Sequence, residues 1–295
     1  MDDGQQQQDG LIDLVETAKP SRTALRVAMR RAAHQIYDAQ PLVFEDPFAV
    51  SILGDTYAEE VRRTPTRPDR PFSVSLRAFL VARSRYAEDN LARAVERGVS
   101  QYVLLGAGLD TFAHRNAYPG LKVFEVDHPA TQQWKRELLE AGGIASPERL
   151  TYTPVDFERE SLPEQLAAAG FDASAPTFFA WLGVVPYLTA EAFRATLGFI
   201  AAQPQGSGVV MDYGQPRHVL PFLEQLAHDS LASRVALAGE PFRLFFTPDE
   251  VAAELSDFSE IEDLGTGEIN HRYFANRSDS LRLRGTAGRL LCAWR

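Results

Sequence analysis

Cysteine is almost absent from this chain: Cys292 is the only one in 295 residues. No intrachain disulfide can form, and a thiolate-rich metal site is excluded. Cys292 lies in LLCAWR, an apolar strand-like run, and reads as a buried core residue. The six histidines, His34, His114, His128, His218, His228 and His271, show no HxxxH or comparable spacing. A zinc site is therefore not expected. Positive charge is also scarce, since 30 Lys and Arg against 40 Asp and Glu leave a net charge of -10. Such a surface offers no long-range attraction to phosphate backbones or anionic membranes, so neither nucleic acid nor membrane is an expected partner. Long apolar runs are missing too. The longest, Phe178 to Leu188, has eleven residues and contains Pro186, whereas a spanning helix needs about 20. The opening MDDGQQQQDG lacks the basic and apolar regions of a secretory signal. The cytoplasm is the expected location.

What is present is an ordinary globular composition, 45% hydrophobic and 24% charged, enough to bury a substantial core. Residues 1–17 are polar and glutamine-rich and predict a mobile tail. Residues 18–74 form an N-terminal extension. One or two helices are expected there, up to about Leu53, with a loop at RRTPTRPDRP (62–71), where three prolines fall in quick succession. From Ser75 to Arg97 the pattern is strongly helical, with Leu76, Leu80, Ala87, Leu91 and Ala94 on one side and Gly98 as the stop.

The rhythm then changes, and residues 75–295 read as one α/β domain. QYVLLG (101–106), KVFEVD (122–127), LTYTPVD (150–156), TFFAWLG (177–183) and GVVMDYG (208–214) are strand-like. Helical stretches around 129–141, 161–169 and 189–202 separate several of them. Strands joined by such crossovers predict a mostly parallel sheet with helices on both faces. After a helix near 248–256, IEDLG (261–265) and LLCAWR (290–295) supply two more strands, which bring the sheet to seven and suit a closing antiparallel pair.

The first strand of the α/β region runs into LLGAGLDT (104–111). Gly106 and Gly108 have no Cβ, so the chain can turn sharply and approach a nucleotide-like ligand at the carboxyl edge of the sheet; a plain tight turn has the same pattern. A dinucleotide fingerprint would want a third glycine where Thr111 stands, so a cofactor without pyrophosphate fits better. Asp127 ends the second strand 21 residues beyond Gly106, where doubly wound folds place a carboxylate that accepts from ribose hydroxyls. It could equally cap the helix that follows. Glu125 shares its sheet face but lies deeper in the strand. Asp156, followed by Phe157, repeats the arrangement after the third strand, as an adenine acceptor beside an aromatic face or as a turn cap. Arg83 falls within the apolar stripe of its helix, so a guanidinium points inward. It would meet either the carboxylate of an amino-acid-bearing cofactor or an acidic side chain. Arg77 and Arg85 are expected on the solvated side.

These residues resemble the leucine carboxyl methyltransferase-like, or tetracenomycin carboxyl methyltransferase-like, branch of class I methyltransferases. The resemblance is carried by PLVFEDPFA (41–49), ARSRY (82–86), LLGAGLDT, VFEVDHP (123–129), PVDF (154–157) and WLGVVPYL (181–188). It implies a Rossmann-like, doubly wound fold whose N-terminal helices form part of a lid. It also implies S-adenosyl-L-methionine held at Gly106, Gly108, Asp127, Asp156 and Phe157, with Arg83 on the methionine carboxylate. Many relatives carry glutamate where Leu182 stands, which questions one polar contact but not the fold. The expected reaction is methyl transfer to an oxygen, carboxylate or hydroxyl, of a small-molecule acceptor. Tyr187, Tyr213, Asp212 and His218 follow the fourth and fifth strands on the ligand-binding edge, and Tyr187, Tyr213 and His218 are the candidate substrate contacts. No catalytic acid or base is assigned. The alternatives are a nicotinamide-dependent oxidoreductase and a noncatalytic cofactor binder.

Overall fold

The computed structural model describes residues 21–63, 71–156, 159–237 and 239–295. The glutamine-rich segment 1–17, most of the proline-rich loop and Phe157 lie outside that set.

Among the described residues seven strands form one sheet. They are β1 (Gln101–Leu105), β2 (Lys122–Asp127), β3 (Leu150–Pro154), β4 (Thr177–Trp181), β5 (Gly208–Gly214), β6 (Glu260–Leu264) and β7 (Gly288–Trp294). Their order is β3-β2-β1-β4-β5-β7-β6. The first five are parallel, while β7 runs antiparallel to both β5 and β6. Covered strands read as continuous apolar runs because both faces are buried. Thus QYVLL and TFFAW are buried at every position. Side chains alternate between two cores: Tyr102, Leu104, Phe178 and Ala180 face one, Val103, Leu105, Phe179 and Trp181 the other.

The first core lies under α3 (Pro71–Glu96) and α9 (Thr266–Phe274), the second under α5 (Leu162–Ala168), α6 (Ala190–Ala201) and α8 (Pro248–Glu254). α4 (Pro129–Ala141) carries β2 back to β3. Its start is capped by His128, whose Nδ1 accepts from the Ala130 N–H at 3.2 Å, with Pro129 in the first turn. At the far end of the first core Trp294 stacks on Phe178 with centroids 5.2 Å apart. Burying side chains of this size contributes about 1.5–3 kcal/mol each.

The extension folds into α1 (Arg22–Tyr37) and α2 (Gly54–Arg63), packed with α4 around Ala28, Ile52, Leu53 and Leu139. Ser21 caps α1 by accepting from the Ala24 N–H at 3.1 Å. The long helix starts at Pro71 rather than Ser75, since proline is tolerated in a first turn, and Gly98 ends it at φ +92°. Arg62 and Arg63 belong to α2, not to the loop. Arg77 corrects the solvated expectation: it is 4% exposed and grips Asp38 through Nε at 2.8 Å and Nη2 at 2.7 Å. α3 is covered by the sheet on one side and the extension on another, so a single apolar stripe underestimates its buried surface. Arg85 is exposed and pairs with Asp89.

Among the described residues three helices have no counterpart in the sequence reading: α2, which begins where the expected N-terminal helices stop near Leu53, α7 (Phe222–Ala236) and α9. α7 leaves Phe222 and Leu223 about 70% exposed, so its apolar residues define no stripe. α9 has nine residues with only Ile269 and Phe274 buried, too few to set a period. Among the described residues no helix is long and apolar enough to cross a membrane.

Candidate cofactor and acceptor site

The strand order reverses between β1 and β4, and the loops leaving these two strands meet at the carboxyl edge, where open sheets bind ligands. Gly106 takes φ +69°, and a Cβ there would lie 2.4 Å from Val184 Cγ2. Gly108 takes φ +49°, and a Cβ would stand 3.1 Å from Ala24 of α1. Both positions need the left-handed region that glycine enters freely. Between them they floor a cavity of about 90 Å³ roofed by Thr23, Ala24 and Val27 of α1 and flanked by Arg83 and Leu182.

Arg83 points inward as its helical position predicts, and its partner is a protein carboxylate. Nη1 lies 3.1 Å from Asp212 Oδ2, with both side chains under 10% exposed. Asp212 Oδ1 also accepts the Gly183 N–H at 2.5 Å. A Cβ on Gly183 would fall 2.7 Å from the guanidinium, so this glycine makes room for Arg83 beside the cavity. The acidic-partner alternative is therefore realised, and Arg83 also lines the cavity.

Asp127 stands behind the glycine loop. Its Oδ2 accepts the Gly108 N–H at 2.6 Å and its Oδ1 the His128 N–H at 2.7 Å. Burial raises its pKa above the ordinary carboxylate range, against the opposing effect of those hydrogen bonds. Glu125 lies deeper, as expected. It is fully buried, with Oε2 2.5 Å from Lys135 Nζ, and burial raises its pKa despite the ammonium. The pair fastens α4 under the rim. Asp156 closes a turn, its backbone carbonyl accepting from the Arg159 and Glu160 N–H groups and its carboxylate 3.6 Å from Arg159 Nε. It is not among the residues lining the cavity.

The three candidate substrate contacts separate. Tyr187 is half-buried beside α1 with its side chain near Thr23, and burial raises its pKa. Tyr213 is a correction: it is 1% exposed and donates its hydroxyl to Asp263 on β6 at 2.6 Å. Residues alternate along β5, so Tyr213 faces the second core while Asp212 faces α3. His218 is exposed on a 3-10 turn and does not line the cavity.

Other residues beside the cavity escaped the sequence reading. Thr111, in the third-glycine slot, donates its hydroxyl to Asp46 at 2.8 Å. Asp46 is itself buried between Arg31 and Arg115 at 3.9 and 3.8 Å. Arg31 of α1 reaches Asp110 at 3.1 Å and also donates to the Leu109 carbonyl. Burial would raise the Asp110 pKa, but Arg31 and Arg115 outweigh it and the group is held low. FEDP and GLDT are thus two halves of one latch between extension and glycine loop. Charged residues inside otherwise apolar motifs were the available signal. Among the described residues no group of three or more His, Cys, Asp and Glu side chains could hold a metal ion.

A glycine-floored cavity at the switch point, an acidic strand end beside it, and a sheet closed by an antiparallel seventh strand define a Rossmann-like methyltransferase. The family model of leucine carboxyl methyltransferase matches residues 24–201, and the chain belongs to that family. It is 32% identical over 286 residues to YktD of Bacillus subtilis (strain 168), a candidate S-adenosyl-L-methionine-dependent methyltransferase, covering 88% of this chain and 93% of that one. It is 37% identical over 190 residues to SCO7813 of Streptomyces coelicolor, described in the same terms, covering 61% and 64%. The fold matches the crystal structure of a candidate methyltransferase from Thermobifida fusca with a TM-score of 0.57 at 18% identity, covering 95% and 96% of the two chains. The protein is an S-adenosyl-L-methionine-dependent methyltransferase, which sets aside the nicotinamide alternative.

Proposed function

We propose that this methyltransferase acts on an oxygen, carboxylate or hydroxyl, of a small-molecule acceptor. The observation that carries the reading is the cavity itself, floored by glycines whose Cβ atoms would collide with Val184 and Ala24 and walled by the Arg83 guanidinium. Gly106 and Gly108 let the backbone approach the cofactor, and Asp127 accepts from its ribose hydroxyls. Arg83, neutralised in part by Asp212, turns toward its carboxylate. Asp156, just beyond β3, belongs to the adenine end. When bound, the cofactor supplies a sulfonium methyl group. The chain's contribution is to hold the acceptor oxygen in line with it, and placement of this kind accounts for much of the rate in such transfers. An ionised carboxylate needs no proton removed; a hydroxyl is helped by a base. Tyr187, next to Thr23 at the roof of the cavity, contacts the acceptor.

The family's description names a carboxyl group, which favours ester formation. Incubating the protein with labelled cofactor and a panel of aromatic and aliphatic carboxylates and phenols tests this. Methyl esters release methanol in mild alkali and aryl ethers do not. Label found only on nitrogen or sulfur would overturn the oxygen assignment.

A further inference from the structure

His228 of α7 lies among aromatic rings, 5.1 Å from Phe245 and 6.3 Å from Phe242 between centroids. Phe242 meets Phe245 edge-on at 5.9 Å and the Tyr187 ring at 5.2 Å. The cluster is seated on the carboxyl rim. A Cβ on Gly214, at the end of β5, would come within 3.0 Å of Phe245, and the Arg243 N–H donates to the Pro186 carbonyl at 2.7 Å. Through Tyr187, whose side chain lies near Thr23, the cluster reaches the roof of the glycine-floored cavity.

Both ring nitrogens of His228 are buried, and neither has a hydrogen-bond partner among the described residues. The nearest carboxylate oxygen, Asp229 Oδ1, is 3.7 Å from Nδ1 and is already held by Arg217 at 2.8 Å. Packing alone would be served by phenylalanine or leucine, without the cost of burying unpaired nitrogens. Small-molecule sites combine apolar walls with a few placed polar groups, and a neutral imidazole offers one donor and one acceptor.

We propose that His228 is the specificity-determining residue for the acceptor. Phe242, Phe245 and Tyr187 supply faces for a planar aromatic acceptor, and the imidazole hydrogen-bonds its carboxylate or hydroxyl oxygen. This rests on the oxygen-methylation reading and adds a substrate class and a recognising side chain to it.

The test uses the full chain saturated with S-adenosylhomocysteine, titrated calorimetrically with 2-naphthoate and, separately, with 2-naphthol. Wild type binds at least one of them and perturbs the His228 ring resonances. His228→Phe, which keeps the ring packing, weakens binding about tenfold, the effect of one lost hydrogen bond, while S-adenosylhomocysteine affinity stays unchanged. His228→Gln, able to donate and accept, retains most of it and covers the case in which the phenylalanine variant fails to fold. Binding of neither probe by wild type, or equal binding by both variants and wild type, overturns the assignment. Failure of wild type to bind S-adenosylhomocysteine is read separately, and it would remove the cofactor reading and this assignment together.

Discussion

At the scale of single residues, Asp127 and Gly106 make the most direct claims. Asp127 holds the glycine loop through Gly108 and faces the ribose end of the proposed site, so Asp127→Ala should abolish detectable S-adenosylhomocysteine binding in calorimetry while leaving a cooperative melt. Because burial raises its pKa and accepting from hydroxyls is best served by the ionised form, affinity should be greatest on the alkaline side of the raised value. It should fall as pH drops through the raised value, earlier than for an exposed aspartate. A pH series of titrations would show proton release on binding over that range, and a flat profile would argue that another group receives the ribose. Gly106→Ala combines a left-handed φ, worth roughly 1–2 kcal/mol for a residue with a Cβ, with a collision against Val184. A lowered denaturation midpoint together with weakened cofactor binding is expected. Glu125 and Lys135 are both fully buried, and removing one partner of such a pair typically costs about 3–5 kcal/mol. Lys135→Ala should therefore destabilise the fold far more than a double change to apolar residues of matching volume, as denaturant melts of the two variants would reveal.

At the scale of elements, α1 covers the cavity. Its Ala24 seats on Gly108 and its Arg31 joins Asp110 and Asp46, leaving about 90 Å³ beneath, whereas ligand pockets commonly span about 300–1,000 Å³. Cofactor entry is expected to shift this helix. Arg31→Ala should speed both association and dissociation of S-adenosylhomocysteine in stopped-flow measurements and raise hydrogen exchange in α1; unchanged rates would mean entry by another route. The latch also shows where sequence reasoning reached its limit. Strand-loop-strand periodicity exposed β1 through β5 within a few residues of their ends, because continuous apolar runs bounded by polar turns leave little choice. Gly106, Gly108 and Asp127 were legible for the same reason, sitting at fixed offsets from those runs. The pairing of Thr111 with Asp46 was not, since it spans 65 positions and no local period records it. Arg77 misled for a related reason: helical phase shows which side of α3 is apolar, but not that Asp38 covers the other side. Tyr213 was displaced by the alternation of β5, which assigns adjacent residues opposite faces.

At the scale of the whole molecule, the sheet order sets the logic of assembly. β7 lies between β5 and β6 and pairs with both, so its apolar residues Leu290 to Trp294 are buried on both faces. Deleting residues 288–295 should leave no cooperative thermal transition by circular dichroism. Among the described residues β6 pairs with no other strand, so it should join the sheet with β7, and the two should exchange their amide protons as one unit. Until they arrive, the hydrogen-bonding groups along one side of GVVMDYG in β5 are open, in a segment of high strand propensity and little charge. An unprotected edge of that composition invites pairing between chains. Refolding yield should therefore fall with protein concentration. The same strand that completes the native sheet keeps partly folded copies from recruiting one another.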